Sequence, residues 1–371
     1  MKILHLNSYY NGSSFYKNLY DKQVEQGLKI DVFVPVPFSA DLKNFDLGDY
    51  TLVSPDFSEW ERCIFHLKHA KILKSLERRY QINNFTLSHA HSLFSNGYLA
   101  LKLKEKYGLP YLVAVRNTDL NVFFKYMLHL RPLGVKILKE AEKIIFLSQP
   151  YRDKLLAGYI PAPLREEFLA KSLIIPNGIA DFWLANREKK GKTPPEKKVK
   201  IIFAGRLNKN KNIIRTVKAL EILTTKGYEI EFTVVGPVKD KKVYEQIKKQ
   251  EFIRYLKPQL REELLKTYRE NHIFVMPSLS ETFGLVYGEA LSQGLPVIYS
   301  QGEGFDGQFE DGVVGYAVDP RSPLEIARGI EKILQNYEIL SAQALKNCDK
   351  FNWQDISGQY LKLYEEVNLK K

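Results

Sequence analysis

The sequence predicts an α/β protein with two Rossmann-like, doubly wound parallel-sheet domains that face a central cleft. The chain has 371 residues, of which 44% are hydrophobic. Single hydrophobic cores stop growing beyond about 250–300 residues, so we expect two domains of roughly 180 residues each. Short apolar segments alternate with helical patterns along the whole chain, which is typical of parallel sheets with crossover helices.

The first series of predicted elements lies in the N-terminal half. Short apolar runs indicate buried strands there, and helical periodicity separates most of them. The predicted strands are Ile3–Leu6, Ile30–Val34, Thr86–His89, Tyr111–Val115, Lys143–Leu147 and Leu173–Ile175, and the predicted helices are Ser14–Gln26, Glu59–Tyr80 and Gly97–Tyr107.

A polar, lysine-rich run follows at Asn186–Lys200 and contains Gly191, Pro194 and Pro195, so we predict a linker there. A second series with the same alternation occupies the rest of the chain. Its predicted strands are Val199–Ala204, Ile230–Val235, Ile253–Leu256, Ile273–Met276 and Pro296–Tyr299, and its predicted helices are Asn212–Thr225, Arg261–Glu270, Phe283–Gln293, Pro323–Gln335 and Trp353–Asn368.

Composition argues against membrane-spanning and disulfide-rich classes of protein. No apolar run reaches the ~18 residues of a membrane-spanning helix, and the stretch after Met1 is too short for a signal peptide. Cys63 and Cys348 are far apart, which favours a reducing cytoplasm. The 55 Lys and Arg residues exceed the 43 Asp and Glu residues and give a net charge of +12. This charge favours nucleic acid, anionic lipid or nucleotide partners, or simply a basic soluble protein.

The most informative segment is Ser280–Ala290, which follows a predicted strand and opens a predicted helix. The first N–H groups of a helix are unpaired and carry the positive end of its dipole, so the backbone of Phe283–Leu285 would seat a diphosphate. Gly284 would let the ligand approach closely. Glu281 and Glu289 bracket this seat, and we expect them to bind sugar and ribose hydroxyls. The alternative is a pair of ordinary carboxylates at a helix start.

A second signal follows the first strand of the second series. Gly205 ends this predicted strand, and Arg206 and Lys211 flank a short loop before the helix that begins at Asn212. Two fixed cations there would neutralise a leaving diphosphate without a metal ion, each charge-assisted hydrogen bond contributing roughly 1.5–3 kcal/mol. The alternative is a lysine-rich surface loop.

These two elements resemble the signature of the retaining glycosyltransferases of family 4, which have the GT-B fold. That signature pairs a Glu-x7-Glu element, here Glu281 and Glu289, with an upstream Gly-Arg…Lys-Asn element, here Gly205-Arg206 and Lys211-Asn212. The resemblance covers nearly the whole chain, and further segments match in order: Ile175–Ile179, Gly294–Val297, Gly315–Val318, and Trp353 and Tyr364 in the terminal helix.

The resemblance implies a domain organisation and a role for each site residue. Residues 1–180 would form the acceptor-side domain, residues 181–352 the nucleotide-sugar donor domain, and a helix over about 353–371 would pack back on the first. Glu281 would bind the donor sugar and Glu289 the ribose. The diphosphate would be held by Arg206 and Lys211. The loop formed by Tyr255, Leu256 and Lys257 would edge the nucleobase.

The N-terminal half departs from the family pattern in two loops. Family members often carry a glycine pair after the first strand, but here Gly12 stands alone and would take the close-approach role. The family's His-Gly-x-Asp turn has an arginine, Arg116, at its histidine position, followed by Asn117 and, at the end of the turn, Asp119. Arg116 is permanently cationic with a planar fork, so it would grip a carboxylate or phosphate, or else pair with Asp119. We place these three residues on the acceptor or sugar side.

Two histidines, His89 and His91, lie two positions apart on a predicted strand and so point to one face. This spacing invites a metal site, but no third ligand is near in sequence and the family needs none. We therefore expect no metal ion and no cofactor beyond the nucleotide-sugar donor. His91 would be either an acceptor-side residue or a buried structural histidine.

The predicted helix Glu59–Tyr80 carries Lys68, Lys71, Lys74 and Arg78 on one face. Apolar residues fall roughly opposite. Such a helix, over 65–80, would lie on an anionic membrane surface, or would simply pack on the sheet with a solvated basic face.

We therefore predict a cytoplasmic retaining glycosyltransferase. If the basic helix binds lipid, the protein would be peripheral to the inner face of the membrane. It would move a sugar from a nucleotide-diphosphate donor to a hydroxyl of a saccharide or lipid-linked glycan, in bacterial surface polysaccharide or glycolipid synthesis. The alternatives are a nucleotide-sugar epimerase, a sugar phosphorylase, or a non-catalytic phosphate- or nucleic-acid-binding protein. Because no recognised nucleic-acid-binding motif is present, nucleic acid is not an expected partner.

Overall fold

The computed structural model describes residues 1–10, 15–41 and 46–369. The chain forms two compact units. The N-terminal unit comprises Met1–Leu147, Tyr151–Pro176 and Trp353–Lys371, and the C-terminal unit comprises Ser148–Pro150 and Asn177–Asn352. Among the described residues, no helix has both the length and the apolar character needed to cross a membrane.

The N-terminal unit is built on a parallel sheet of seven strands. These are β1 (Lys2–Leu6), β2 (Lys29–Pro37), β3 (Thr51–Phe57), β4 (Leu87–Ala90), β5 (Tyr111–Ala114), β6 (Lys143–Phe146) and β7 (Ser172–Ile174). Their order is β3-β2-β1-β4-β5-β6-β7. Because the chain winds outward in both directions from β1 and β4, the carboxyl ends of these two strands form the topological switch point.

The α-helices of this part of the chain are α1 (Phe15–Glu25), α2 (Phe65–Arg79), α3 (Ser95–Tyr107), α4 (Arg131–Glu140), α5 (Gln149–Tyr159) and α6 (Arg165–Lys171). Shorter turns supplement them: 3-10 helices at Glu59–Cys63, Ile82–Asn84, Leu128–Leu130 and Ala162–Leu164, and a π-helical turn at Asp119–Phe124.

The single helix predicted over Glu59–Tyr80 is wrong in its first turn. A short 3-10 helix, Glu59–Cys63, precedes α2, and Ile64 between them has φ −115° and ψ 86°, outside the helical region. The Glu61 carboxylate accepts a hydrogen bond of 2.7 Å from the backbone N–H of Ser58 and so closes this short turn on itself. The new helix then begins at Phe65.

Strand β3 has no counterpart among the predicted strands. It contains Pro55 and Asp56, which are unfavourable in central strands, and their presence hid it from the sequence pattern. In the structure β3 lies at the edge of the sheet, pairing with β2 alone. A proline is tolerated at an edge because one side of the strand needs no ladder partner.

The C-terminal unit contains a parallel sheet of six strands. These are β8 (Lys198–Ala204), β9 (Glu229–Val235), β10 (Ile253–Leu256), β11 (Ile273–Val275), β12 (Val297–Ser300) and β13 (Gly315–Val318), in the order β10-β9-β8-β11-β12-β13. Its switch point lies between β8 and β11. The segment Gly315–Val318, which was not among the predicted strands, is an edge strand paired with β12.

The helices of this unit are α7 (Asp181–Ala185), α8 (Ile213–Thr225), α9 (Lys241–Ile247), α10 (Arg261–Arg269), α11 (Leu285–Ser292), α12 (Pro323–Gln335) and α13 (Tyr337–Asn347). The run expected as a linker before β8 packs on this unit. Lys192 Nζ donates to the backbone carbonyls of Arg269 and Asn271 at 2.7 Å each, and its backbone N–H donates to Ser341 Oγ at 2.7 Å.

The last helix, α14 (Trp353–Asn368), belongs to the N-terminal unit. Trp353, Tyr364 and Val367 are buried and share a core cluster with residues of β1 and α1. Gln23 Nε2 of α1 donates to Tyr364 Oη at 3.3 Å, which fixes this helix beside α1.

Candidate functional site

The switch point of the C-terminal unit gathers two loops that the sequence singled out. The loop after β8 runs from Gly205 to Asn212, and the loop after β11 runs from Met276 to Gly284. Both leave the carboxyl edge of the sheet, where open α/β sheets bind ligands. Leu279 N donates to Asn210 O at 2.8 Å, so the two loops are in direct contact.

The central contact between these loops is an ion pair of Lys211 with Glu281. Their side chains are 18% and 14% exposed, so the pair is largely shielded from water. The second carboxylate oxygen of Glu281 accepts a hydrogen bond of 3.1 Å from the Thr282 backbone N–H. The structure therefore brings together one predicted diphosphate ligand and the predicted sugar ligand.

Asparagines hold the Lys211 loop in place. Asn208 Oδ1 accepts from Lys211 N at 3.0 Å, and Asn210 Nδ2 donates to Ser280 O at 2.8 Å. Asn212 is buried, has φ +59° and donates to Pro277 O at 2.9 Å. Asparagine tolerates the left-handed region better than other residues with side chains. Of these three, the sequence pattern indicated Asn212 alone, as the start of a helix and as the last residue of the Gly-Arg…Lys-Asn element.

Glu303 and Gly304 both hydrogen-bond to the backbone of Glu281, an interaction that the sequence pattern did not reveal. Glu303 Oε2 accepts from Glu281 N at 2.8 Å, and Gly304 N donates to Glu281 O at 2.8 Å. A Cβ at Gly304 would lie 2.0 Å from Thr282 O, so glycine is required for this approach. The Gly302-Glu303-Gly304 run was the signal available in the sequence.

Helix α11 begins at Leu285, about one turn after Glu281. Gly284 precedes it with φ +76°, and a Cβ there would lie 2.5 Å from the Tyr287 ring. The side chain of Phe283 is buried against Phe351, so its backbone alone is available to a ligand. The half-buried Leu285 is the first helical residue, and the N–H groups of a first helical turn have no intrahelical acceptor.

Glu289 lies in a different environment from Glu281. Its Oε2 accepts a hydrogen bond of 3.4 Å from the hydroxyl of Tyr268, a buried residue of α10. Burial raises the pKa of Glu289 to about 7, against the lowering effects of Tyr268, Arg261 and Trp183. The two predicted carboxylates thus differ chemically: Glu281 is paired with a cation, and Glu289 is close to half-protonated at neutral pH.

Arg206 and the β10 edge complete the predicted donor residues. Arg206 is exposed and forms no ion pair within the described parts of the chain. Gly205 follows β8, and a Cβ on Gly236 would lie 2.0 Å from Gly205 O, so the two backbones are in close contact. Tyr255 Oη donates to Gly236 O at 3.0 Å. Leu256 O accepts from Gly236 N at 3.1 Å, and Lys257 is exposed beyond it.

In the N-terminal unit, Arg116 and Asp119 are both buried but do not form the direct ion pair considered above. Asp119 accepts three backbone hydrogen bonds: from Arg116 N at 2.8 Å, Leu93 N at 3.0 Å and Phe94 N at 3.1 Å. Burial raises the pKa of Asp119 to about 6 despite these bonds. Arg116 Nε instead donates to His91 O at 3.1 Å. Asn117 Nδ2, close by, donates to Tyr151 Oη at 3.0 Å.

His91 is buried in a cluster with His5 and His89, and sequence spacing gave no sign of His5. One ring nitrogen from each lies within 4.8 Å of the others, so the three could hold a metal ion. Zinc–nitrogen distances of about 2.0–2.1 Å would require this spacing to contract. In the structure His5 Nδ1 and His91 Nε2 share a hydrogen bond of 3.0 Å, and His89 Nδ1 contacts Tyr364 Oη at 2.7 Å. Burial lowers the pKa of all three rings, which keeps them neutral.

Gly12, predicted to approach the donor, lies outside the described residues.

Two parallel Rossmann-like sheets, each with its own switch point, define the GT-B class of fold. Comparisons with solved structures agree. Sucrose-phosphate synthase from Thermosynechococcus elongatus matches with a TM-score of 0.76 at 17% identity, over 100% of both chains. HepE of Anabaena, solved in complex with UDP and glucose, matches with a TM-score of 0.69 at 16% identity, over 98% of this chain and 99% of that one.

Sequence comparisons point to the class of activity. Residues 185–350 match the family model described as glycosyl transferases group 1. A D-inositol 3-phosphate glycosyltransferase of Paenarthrobacter aurescens is 26% identical over 297 residues, which are 75% of this chain and 72% of the relative. These findings support a glycosyltransferase of GT-B fold.

Proposed function

We propose that the protein is a retaining glycosyltransferase that uses a nucleotide-diphosphate sugar held at the switch point of the C-terminal unit. The observation that carries this proposal is the contact between Lys211 and Glu281. A cation and a carboxylate are held side by side at the carboxyl edge of the sheet, next to the first backbone N–H groups of α11. Such a site suits a ligand with a diphosphate at one end and hydroxyls at the other.

Each side chain then has a chemical task. Lys211, Arg206 and the first turn of α11 would bind the diphosphate, and Glu281 would accept hydrogen bonds from sugar hydroxyls. Glu289 would do the same for the ribose. Gly205, Gly236 and the edge of β10 would leave room for the base. The UDP and glucose bound to HepE make a uridine nucleotide the first donor to test.

The catalytic effect would be electrostatic. As the glycosidic bond to the diphosphate breaks, negative charge develops on the leaving phosphate and positive charge on the sugar ring. Fixed cations and helix N–H groups stabilise that leaving group without reorganising, and in many enzymes such stabilisation accounts for most of the rate enhancement. The acceptor hydroxyl would attack the same face of the sugar from which the diphosphate departs, so that the configuration is retained.

Arg206→Ala tests this assignment. Loss of one preorganised donor to the leaving group should reduce kcat by roughly 10²–10³. Lys209→Ala is a matched control, because Lys209 is an exposed lysine of the same loop without an ion pair among the described residues. Equal activity of the two variants would contradict the role of Arg206. Conversion of the donor sugar in the absence of any acceptor would identify an epimerase instead.

We also propose, from the family resemblance, that the acceptor is a saccharide or lipid-linked glycan of a bacterial surface polymer. Membrane association through 65–80 is part of this proposal. Trp60, Ile64 and Leu67 are 61%, 46% and 41% exposed, and exposed basic residues such as Lys74 and Arg78 follow them in α2. Exposed aromatic and aliphatic side chains beside basic ones favour anionic lipid surfaces.

Co-sedimentation with liposomes tests the membrane proposal. We expect binding to vesicles that contain anionic lipid, weakened by salt and by Trp60→Ala. Equal recovery with neutral and anionic vesicles at low salt would contradict it.

A further inference from the structure

A cavity of about 560 Å³ lies in the N-terminal unit, outside the donor site described above. It sits at the switch point of this sheet. Ser8 and Tyr9 of its wall follow β1, and Ser95 and Asn96 open α3 after β4. Ser8 N donates to Asn96 Oδ1 at 3.2 Å and joins the two sides. A volume of this size suits a small organic ligand such as a sugar or polyol.

The charge on the cavity wall has one sign. Arg62 and Lys68 line the cavity, and no carboxylate lines it among the described residues. Hydroxyl groups of Ser8, Ser95 and Thr118 supply neutral hydrogen-bonding positions. A wall with two cations, hydroxyls and no acid is complementary to an anion that carries hydroxyl groups.

Lys68 differs from Arg62 and Lys71 in having no counter-charge. Lys71, about one turn further along α2, pairs with Glu61, and Arg62 Nε contacts Glu59 Oε2 at 2.8 Å. Lys68 has no ion-pair partner in the described part of the chain, and its Nζ lies 5.4 Å from the centre of the Phe57 ring on the cavity wall.

The location of Lys68 makes its charge costly. Burial, together with repulsion from Arg62, lowers the pKa of Lys68 to about 8. A partly buried ammonium without a counter-charge is unfavourable, and an anion bound beside it would remove that cost. Lys68 and Ile72 are one helical turn apart and so share a face of α2, and both line this cavity.

We propose that this cavity binds the anionic end of a phosphate-bearing sugar or polyol, with Lys68 as the principal cation and Arg62 beside it. A phosphate monoester carries about −1.5 to −2 charges at neutral pH and three acceptor oxygens, so it would neutralise Lys68 and compete with Glu59 for Arg62. The identification of this ligand as the acceptor rests on the proposed function. The binding of the ligand in this cavity is independent of that function. The phosphate belongs either to a free sugar phosphate or to a lipid headgroup.

The test compares glucose with glucose 6-phosphate, which differ in the phosphate alone, by isothermal titration of the full chain. We expect the phosphate to be required for tight binding, and Lys68→Gln to weaken it roughly tenfold to 100-fold. Lys139→Gln is the matched control, since Lys139 is an exposed lysine of α4 that does not line the cavity and lies outside the proposed membrane-binding segment. It should change the affinity less than about twofold. A second arm replaces the sugar phosphate by vesicles containing a phosphate-headgroup lipid.

Dependence on Lys68 in the first arm indicates a free sugar phosphate, and dependence in the second arm alone indicates a lipid headgroup; either result supports the cavity. Equal affinity of wild type and Lys68→Gln in both arms overturns it. Arg206→Ala separates the two sites: if that variant, and not Lys68→Gln, loses the sugar phosphate, the phosphate binds at the switch point of the C-terminal unit and the proposal fails. Loss of donor binding with intact Lys68-dependent binding would instead refute the proposed function alone.

Discussion

Glu281→Gln should change diphosphate binding and sugar transfer in opposite directions. In the structure Lys211 is already neutralised by Glu281. A nucleoside diphosphate must therefore compete with a carboxylate for its cation. Removing that carboxylate's charge should strengthen binding of the diphosphate and, at the same time, weaken sugar transfer. Lys211→Gln should weaken both.

The size of the effect follows from the burial of the pair. Two unit charges about 4 Å apart attract by about 4 kcal/mol at an effective dielectric constant of about 20. Exposure of 18% and 14% places this pair nearer that regime than the regime of bulk water. Desolvation and the remaining hydrogen bond from Thr282 offset most of this attraction. We expect a net gain of about 1.4 kcal/mol, or tenfold, in diphosphate affinity for Glu281→Gln, and a fall in kcat of roughly 10²–10³.

Isothermal titration with the nucleoside diphosphate alone, in parallel with turnover of the full donor, measures both quantities. The double variant Lys211→Gln/Glu281→Gln completes a cycle that isolates the pair from its surroundings. If Glu281→Gln weakened diphosphate binding as much as Lys211→Gln does, both residues would bind the diphosphate. The proposal that Lys211 binds the diphosphate and Glu281 the sugar would then be refuted.

Further predictions concern Glu289 and two glycines. Because burial raises the pKa of Glu289 to about 7, this carboxyl is mostly neutral at about pH 6 and ionised at about pH 8, and only the ionised form accepts two hydroxyl hydrogen bonds. Nucleotide-sugar affinity should therefore rise about tenfold across that range. In Glu289→Gln the affinity should not depend on pH. If that variant kept the pH dependence, another group would be responsible for it. Gly284→Ala, with φ +76° and a Cβ 2.5 Å from the Tyr287 ring, should lower the free energy of unfolding by at least about 1–2 kcal/mol and weaken nucleotide binding, and an unchanged denaturation midpoint would contradict it. Gly236→Ala, whose Cβ would lie 2.0 Å from Gly205 O, should be more destabilising still, as thermal melting can show.

The regular part of the fold could be predicted because its strands are short and mostly apolar, and those at the centre of each sheet are buried. The predicted Val199–Ala204 and the observed β8 differ by one residue at the start, and Ile253–Leu256 agrees at both ends. Elements with weaker patterns were not predicted. β3 contains proline and aspartate, and the short helix before α2 is set by the Glu61 side chain rather than by periodicity.

For the site, the chain pattern located the loops but not their partners. Spacing alone suggested Glu281 and Lys211, yet their mutual pairing depends on β8 and β11 being neighbours, which no local pattern encodes. His5 joins His89 and His91 for the same reason, since β1 pairs with β4 across the sheet. The unpaired charge of Lys68 was also missed in sequence, because Lys68 was grouped with the other basic residues of the helix although it lies one turn from the buried Ile72.

The return of α14 to the N-terminal unit has a consequence for synthesis of the chain. Trp353, Tyr364 and Val367 are part of the same core cluster as Ile3 of the first strand. Domains generally fold as units during translation, starting from the N-terminus. Here the first unit to leave the ribosome is the last to be completed, because its final core residues are made after the whole C-terminal unit. Until then the apolar groove beside α1 stays open, and a nascent chain stalled before residue 353 should be a chaperone substrate while its C-terminal unit is already folded.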